Sequence, residues 1–256
     1  MDMTKPLLDN IEPEIVEQLT SRRNSLAAMG KLGLAVAAMG SLPALLAATT
    51  TKAYGSVKRS PQAVIDVLNY ALTLEILERD FYQKAVSANN AGTLNVGNDL
   101  PVFTQILKHE AAHVALLQGF NATALNLGGE IKFDKVFTDV FKNYDLFKAV
   151  AQSLEDTGVR AYKGRAAELI NDKATLTVAL QIHSVEARHA AMIRRLRGLR
   201  GWIVGAEANG GAPEVYGGED ATNGNFSIGG TAPSESFDEP LTPEAVVATV
   251  QKYFVV

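Results

Sequence analysis

Apolar positions recur at three- and four-residue steps along four long stretches of the chain, the spacing that lines one face of an α-helix. In the first stretch Val64, Val67, Leu68, Ala71, Leu74 and Glu75 share one stripe. Ser60 as N-cap and Pro61 in the first turn open it, and the run "NNAGTLNVGNDL" closes it, which predicts a helix over about 61–88. In the second, Phe103, Ile106, Leu107, Glu110, His113 and Leu117 form the inner stripe of a helix over about 101–121. Roughly two dozen residues follow, "NATALNLGGEIKFDKVFTDVFKNY". That is long for a hairpin loop and suits a crossover that lets the second and third helices run parallel, with a short helix near about 134–142. The third helix, over about 145–170, carries Leu154, Glu155 and Tyr162. After a turn at "NDK", the fourth, over about 173–199, carries Glu186 and His189. It ends in Arg194, Arg195, Arg197 and Arg200, which complement the helix dipole and read as a solvated face.

The pattern changes beyond residue 200. Residues 201–241 are rich in Gly, Asn, Ser and Pro, with Trp202, Tyr216 and Phe226 among them. They read as an irregular arm that its aromatics anchor to the bundle. In the closing run "LTPEAVVATVQKYFVV", Thr242 is the N-cap and Pro243 the first residue of a short amphipathic helix. Its apolar positions are Val246, Val247, Val250 and Phe254, and it is expected to dock on the core. At the other end, Arg22 and Arg23 precede a weakly apolar run interrupted by Gly30, Lys31, Gly33, Gly40 and Pro43. This resembles a twin-arginine export signal, although Ser25 stands where that signal usually has a large apolar residue and Leu26 follows. The resemblance implies passage through the twin-arginine translocase and a periplasmic or extracellular location, with an uncleaved anchor as the alternative. Three segments are therefore expected: a leader over 1–55, a bundle over 56–200, and the arm with its helix over 201–256.

Composition narrows the chemistry. The 256 residues contain no cysteine, so thiolate metal sites, disulfides and cysteine nucleophiles are excluded. A net charge of −4 gives no electrostatic case for nucleic acid. The four histidines, His109, His113, His183 and His189, all lie in two short segments of the second and fourth helices. Those segments each contain E-x-x-H, as Glu110/His113 and Glu186/His189. The first and third helices each carry a Glu and a Tyr seven residues apart, Glu75/Tyr82 and Glu155/Tyr162. Glu75 to Glu155 spans 80 residues and Glu110 to Glu186 spans 76, which argues for a duplicated helical hairpin.

Residues three apart on a helix share a face, so each E-x-x-H aims a carboxylate and an imidazole at one point. Two such helices, with one inward Glu from each of two others, make the ligand set of di-iron and di-manganese bundles. Four adjacent buried carboxylates would be costly alone, and two divalent cations neutralise them. The expected ligands are Glu75, Glu110, His113, Glu155, Glu186 and His189. Glu110 and Glu186 would bridge, Glu75 with His113 would serve one ion, and Glu155 with His189 the other. Two Fe or Mn ions suit this donor set, and zinc also fits. Glu78, three residues past Glu75, is a further candidate, although Gly158 occupies the matching position in the third helix. Asp156 either supports a ligand histidine or pairs with an arginine. Tyr82 and Tyr162 are either core residues or partners of the site. His109 and His183 do not match in register and are expected to lie outside it. Gly158 implies close helix approach or room for a small ligand.

The segments "LEILERDFY", "LEDTGVRAY", "VEARHAAMIRRL" and "FDEPLTPEAVVATVQKYF" resemble the ferritin-like superfamily, in particular its exported, desiccation-associated branch. The resemblance covers about residues 60–254. It implies an all-α, ferritin-like four-helix bundle with one long crossover and a di-metal centre on the six residues named. Many di-iron proteins place an Asp just before the Glu of E-x-x-H to orient a histidine across the bundle. Here His109 and Val185 stand there, so that support is expected to be weaker or to come from elsewhere. Two functional readings follow. One is a redox protein acting on Fe(II), O2 or H2O2; the other is a non-catalytic stress- or desiccation-protective bundle with a structural metal or none. Iron storage would need a many-subunit shell, which the 201–241 arm would obstruct, whereas a smaller homo-oligomer fits either reading.

Overall fold

Helix α1 (Gln62–Asn90) forms where the first stripe predicts it, and Gly92, at φ 73°, turns the chain after it. A 3-10 turn at Gly97–Asp99 leads into α2 (Leu100–Gly119), with Pro101 in its first turn. The crossover that follows is tied to α1. Asn69 accepts from the Thr123 amide at 2.7 Å, and Thr73 Oγ1 accepts from the Leu125 amide at 2.8 Å. The crossover holds a short strand, β1 (Glu130–Ile131), and one helical turn, α3 (Phe133–Val136), shorter than the helix expected there because the backbone is extended at Phe137. Helix α4 (Tyr144–Arg165) is capped by Asn143, which accepts from the Leu146 amide, and it continues into a 3-10 turn at Ala166–Leu169. Asp172 caps α5 (Lys173–Leu196) by accepting from the Thr175 amide. Thr242 caps α6 (Pro243–Gln251) in the same way through the Ala245 amide. The chain ends in β2 (Phe254–Val255), antiparallel to β1 with Glu130 opposite Val255. Two residues per strand are too few to leave a period in the sequence, so the pairing was not expected.

The computed structural model describes residues 62–203, 238 and 240–256. The 1–55 leader, Ser60, Pro61, Tyr216 and Phe226 lie outside the described residues. Among those described, no helix is long and apolar enough to cross a membrane.

The core has two apolar clusters. One contains Phe81, Tyr82, Phe103, Ile106, Phe147, Leu154 and Ile193; the other contains Val64, Leu68, Leu72, Val114, Leu117, Tyr162, Val178 and Ile182. Their membership fixes the helix directions. Helices α1 and α5 pass from the second cluster to the first as the numbering rises, whereas α2 and α4 pass from the first to the second. Thus α2 and α4 are parallel, as the long crossover requires, and each is antiparallel to the helix it packs on, α1 and α5 respectively. This is an all-α, ferritin-like four-helix bundle with one long crossover.

The C-terminal segment docks as expected, through Val246, Val250 and Tyr253. Lys163 bonds the Asp238 carbonyl and the Leu241 amide donates to the Arg160 carbonyl. A Cβ at Gly164 would lie 2.0 Å from the Leu241 carbonyl oxygen, so the glycine lets the segment touch α4. Gly164→Ala is expected to lift the segment and cost about 1–3 kcal/mol, read as a lowered unfolding midpoint. An unchanged midpoint would place the segment elsewhere. Two sequence expectations need correction. Trp202 is 54 % exposed and Ile203 is the buried residue beside it, because the chain leaves α5 with the aliphatic side chain inward. Arg194 is buried rather than on a solvated face, because Asp156 gives it a partner inside the bundle. Arg195 and Arg200 are exposed, and Arg197 is half-buried.

Candidate metal centre

Between the two apolar clusters the stripes of all four long helices turn polar at one level. Glu75, Glu110, Glu155 and Glu186 are each 0 % exposed, and His113 and His189 are buried beside them. Their ligand atoms form two groups, each within 4.8 Å: Glu75, Glu110, His113 and Glu186; and Glu110, Glu155, Glu186 and His189. Glu110 and Glu186 belong to both. His113 Nδ1 lies 3.0 Å from Glu75 Oε2, 3.1 Å from Glu110 Oε2 and 3.0 Å from Glu186 Oε1. His189 Nδ1 lies 2.9 Å from Glu110 Oε1, 3.2 Å from Glu155 Oε2 and 3.2 Å from Glu186 Oε2.

The seven-residue Glu/Tyr spacing acquires a meaning that no single helix contains. Tyr82 donates to Glu155 Oε1 and Tyr162 donates to Glu75 Oε1, both at 2.5 Å. Because α1 and α4 are antiparallel, each tyrosine reaches the glutamate of the opposite hairpin. Burial, then the adjacent carboxylate, holds both phenols well above their ordinary range, so they remain neutral donors. Each fixes one oxygen of its partner and leaves the other facing the centre.

The remaining candidates divide. Glu78 is buried, and its Oε2 has no hydrogen-bond partner among the described residues. Its Oε1 would lie 3.0 Å from a Cβ at Gly158. The glycine therefore makes room for a fifth carboxylate, which stays outside both four-residue groups. Asp156 does not support a histidine. Arg194 Nη2 donates to its Oδ2 at 2.7 Å and Arg194 Nη1 lies 2.6 Å from Oδ1. One residue past an inward Glu on a helix, its side chain is rotated by about 100° and faces α5 instead of the centre. Sequence reasoning misplaced His109. Its Nδ1 lies 2.9 Å from His189 Nε2, with the two rings nearly coplanar at an 8° interplanar angle. Its signal was a polar residue directly before Glu110. His183 is half-buried and is not in either group.

The electrostatics of the cluster favour positive charge at its centre. Burial raises Glu78 and Glu110 well above the carboxylate range, and the surrounding carboxylates push them further. Burial likewise holds Glu155 at about 7, against the pull of His189. Burial alone would lower both imidazoles, but the carboxylates outweigh it. His189 is pushed up to about 12 by Glu155, Glu110 and Glu186, and His113 is raised strongly by Glu75, Glu110 and Glu186. Glu186 resists burial and falls to about 2 because both imidazolium groups bond to it. In the metal-free protein, two imidazolium ions thus do the work of counter-cations. Glu110 Oε1, Glu155 Oε2 and Glu186 Oε1 each lie 2.9–3.2 Å from a histidine Nδ1 yet accept no well-aligned hydrogen bond among the described residues. Four carboxylates and two imidazoles converging in this way fit divalent metal ions.

That arrangement has a consequence for pH. A metal needs the Nδ1 lone pairs of His113 and His189, so loading must expel their protons and the one that Glu110 retains. These groups stay protonated until the pH passes their raised pKa values, so affinity should climb as pH rises. A slope of about two to three protons per chain is expected. Titration in buffers of different ionisation enthalpy measures it, and metal uptake without proton release would contradict this charge assignment.

A four-helix bundle with a buried carboxylate–histidine cluster is compatible with a di-metal site. The ferritin-like domain family matches residues 63–199, more than half of the chain, and the chain belongs to that family. No curated protein and no solved structure matches it.

Proposed function

We propose that the chain is an exported di-metal carboxylate protein that oxidises Fe(II) or handles O2 or H2O2 in stress protection. The carrying observation is the pair of ligand groups sharing Glu110 and Glu186. Two Fe or Mn ions held there would supply redox chemistry toward a small oxidant. Glu75 with His113 would hold one, Glu155 with His189 the other, and the two shared glutamates both. Tyr162 and Tyr82 orient the terminal carboxylates by their hydrogen bonds. The apolar clusters on either side, with Phe81, Phe103 and Phe147 in one and Leu72, Leu117 and Ile182 in the other, keep bulk water from the centre. Gly158 makes room for Glu78, a carboxyl whose pKa burial and the neighbouring carboxylates raise well above the ordinary range. The leader with Arg22 and Arg23 supports export through the twin-arginine translocase, and the resemblance of the quoted segments to the desiccation-associated branch supports the stress role.

The test is metal analysis of the full chain reconstituted with Fe(II) or Mn(II), followed by turnover of Fe(II) and H2O2. About two ions per chain with turnover is the expected result. Two ions without turnover would favour the protective bundle with a structural metal, and no ions after supplementation would remove the redox reading.

A further inference from the structure

We propose that His109 positions His189 for metal binding and so makes the two ion positions unequal, with the ion on Glu155 and His189 held more tightly. The proposal rests on the two-metal reading of the six ligands. His189 presents Nδ1 to Glu110, Glu155 and Glu186, at 2.9–3.2 Å. Its far nitrogen, Nε2, lies 2.9 Å from His109 Nδ1. His109 Nε2 in turn lies 2.7 Å from the side-chain amide of the exposed Gln105. That amide offers both an N–H and a carbonyl, so it can meet either tautomer of His109. The ring of His189 is therefore fixed at both ends, by carboxylates inside and by an imidazole toward the surface.

His113 is not fixed in this way. Its Nδ1 faces Glu75, Glu110 and Glu186, but its Nε2 has no hydrogen-bond partner among the described residues. The residue before Glu186, in the register that His109 occupies before Glu110, is Val185, which has no polar side-chain atom. An outer hydrogen bond to a ligand imidazole sets its tautomer and orientation and raises its basicity. One half of the centre has that support and the other lacks it. A neutral imidazole is also a weaker acceptor than a carboxylate, so aspartate at position 109 should support His189 at least as well.

The experiment is Mn(II) titration of the full chain, with bound ion counted by the loss of the free-ion EPR signal. Wild type, His109→Ala, His109→Gln and His109→Asp are compared, with helix content checked by circular dichroism. Wild type should fill in two unequal steps. His109→Ala should weaken the tighter step by about 10–100-fold, and His109→Asp should restore it. A His109→Ala isotherm like that of wild type, or a His109→Asp isotherm no tighter than that of His109→Ala, overturns the role of His109 and leaves the two-metal reading standing. Wild type that binds no Mn(II) overturns both. His109→Gln keeps a hydrogen-bonding side chain but neither an imidazole nor a carboxylate, so it should lose as much as His109→Ala; a Gln isotherm like that of wild type would overturn a role specific to imidazole or carboxylate.

Discussion

Glu110→Ala is expected to abolish loading at both ion positions, not at one. Glu110 places one oxygen 3.1 Å from His113 Nδ1 and the other 2.9 Å from His189 Nδ1, so truncation removes a donor from each group. Losing a buried anionic ligand costs several kcal/mol, or roughly a thousandfold or more in affinity. Glu75→Ala touches only one group and should leave one ion per chain bound more weakly. Metal content after reconstitution and dialysis reads the difference. One ion retained by Glu110→Ala and none by Glu75→Ala would refute the sharing. The metal-free variant should unfold no sooner than metal-free wild type. Burial and the neighbouring Glu186 raise the pKa of the carboxyl it lacks by more than the hydrogen bonds of His113 and His189 lower it. A large loss of metal-free stability would instead mark Glu110 as a structural residue.

Asp156→Ala should produce the largest loss of stability. Asp156 is held up to about 6 by burial against the pull of Arg194, so it is ionised at neutral pH and pairs with Arg194 through both oxygens. Gln152 extends the contact by donating to Asp156 at 3.4 Å and accepting from Arg197 at 2.6 Å. Truncating one partner leaves a guanidinium inside the bundle that is only 2 % exposed, which costs about 3–5 kcal/mol. Replacing both partners with leucine should cost much less, because two desolvation penalties disappear together. Urea unfolding of the single and double variants decides it. If the double variant falls as far as Asp156→Ala, the pair is doing more than neutralising itself.

These two residues also show how far the chain could be read without its fold. Glu110 was legible because its partner His113 lies three positions away on the same helix, a relation that any helix enforces. Asp156 follows an inward glutamate directly, and its partner is 38 residues distant. Whether it met a histidine or an arginine depended on the rotational phase of α4 against α5, which neither helix carries alone. The same reason hid the role of His109. At the position before Glu110 its side chain leaves the inner stripe, and only the packing of α2 near α5 brings it to His189.

The order of apolar and polar residues determined four helices, the turn before Lys173, the cap of the short helix at Thr242, the long crossover, and the grouping of glutamate and histidine at three-residue spacing. Those are local properties, set by a 3.6-residue period and by which side chains can bond a free amide. The tertiary structure decided what crosses between helices. It gave Tyr82 to Glu155 and Tyr162 to Glu75, gave Gly158 to Glu78 and Gly164 to the C-terminal segment, and set His109 against His189. The physical reason is that direction, phase and axial offset between packed rods are properties of the pair, and no spacing within one rod records them.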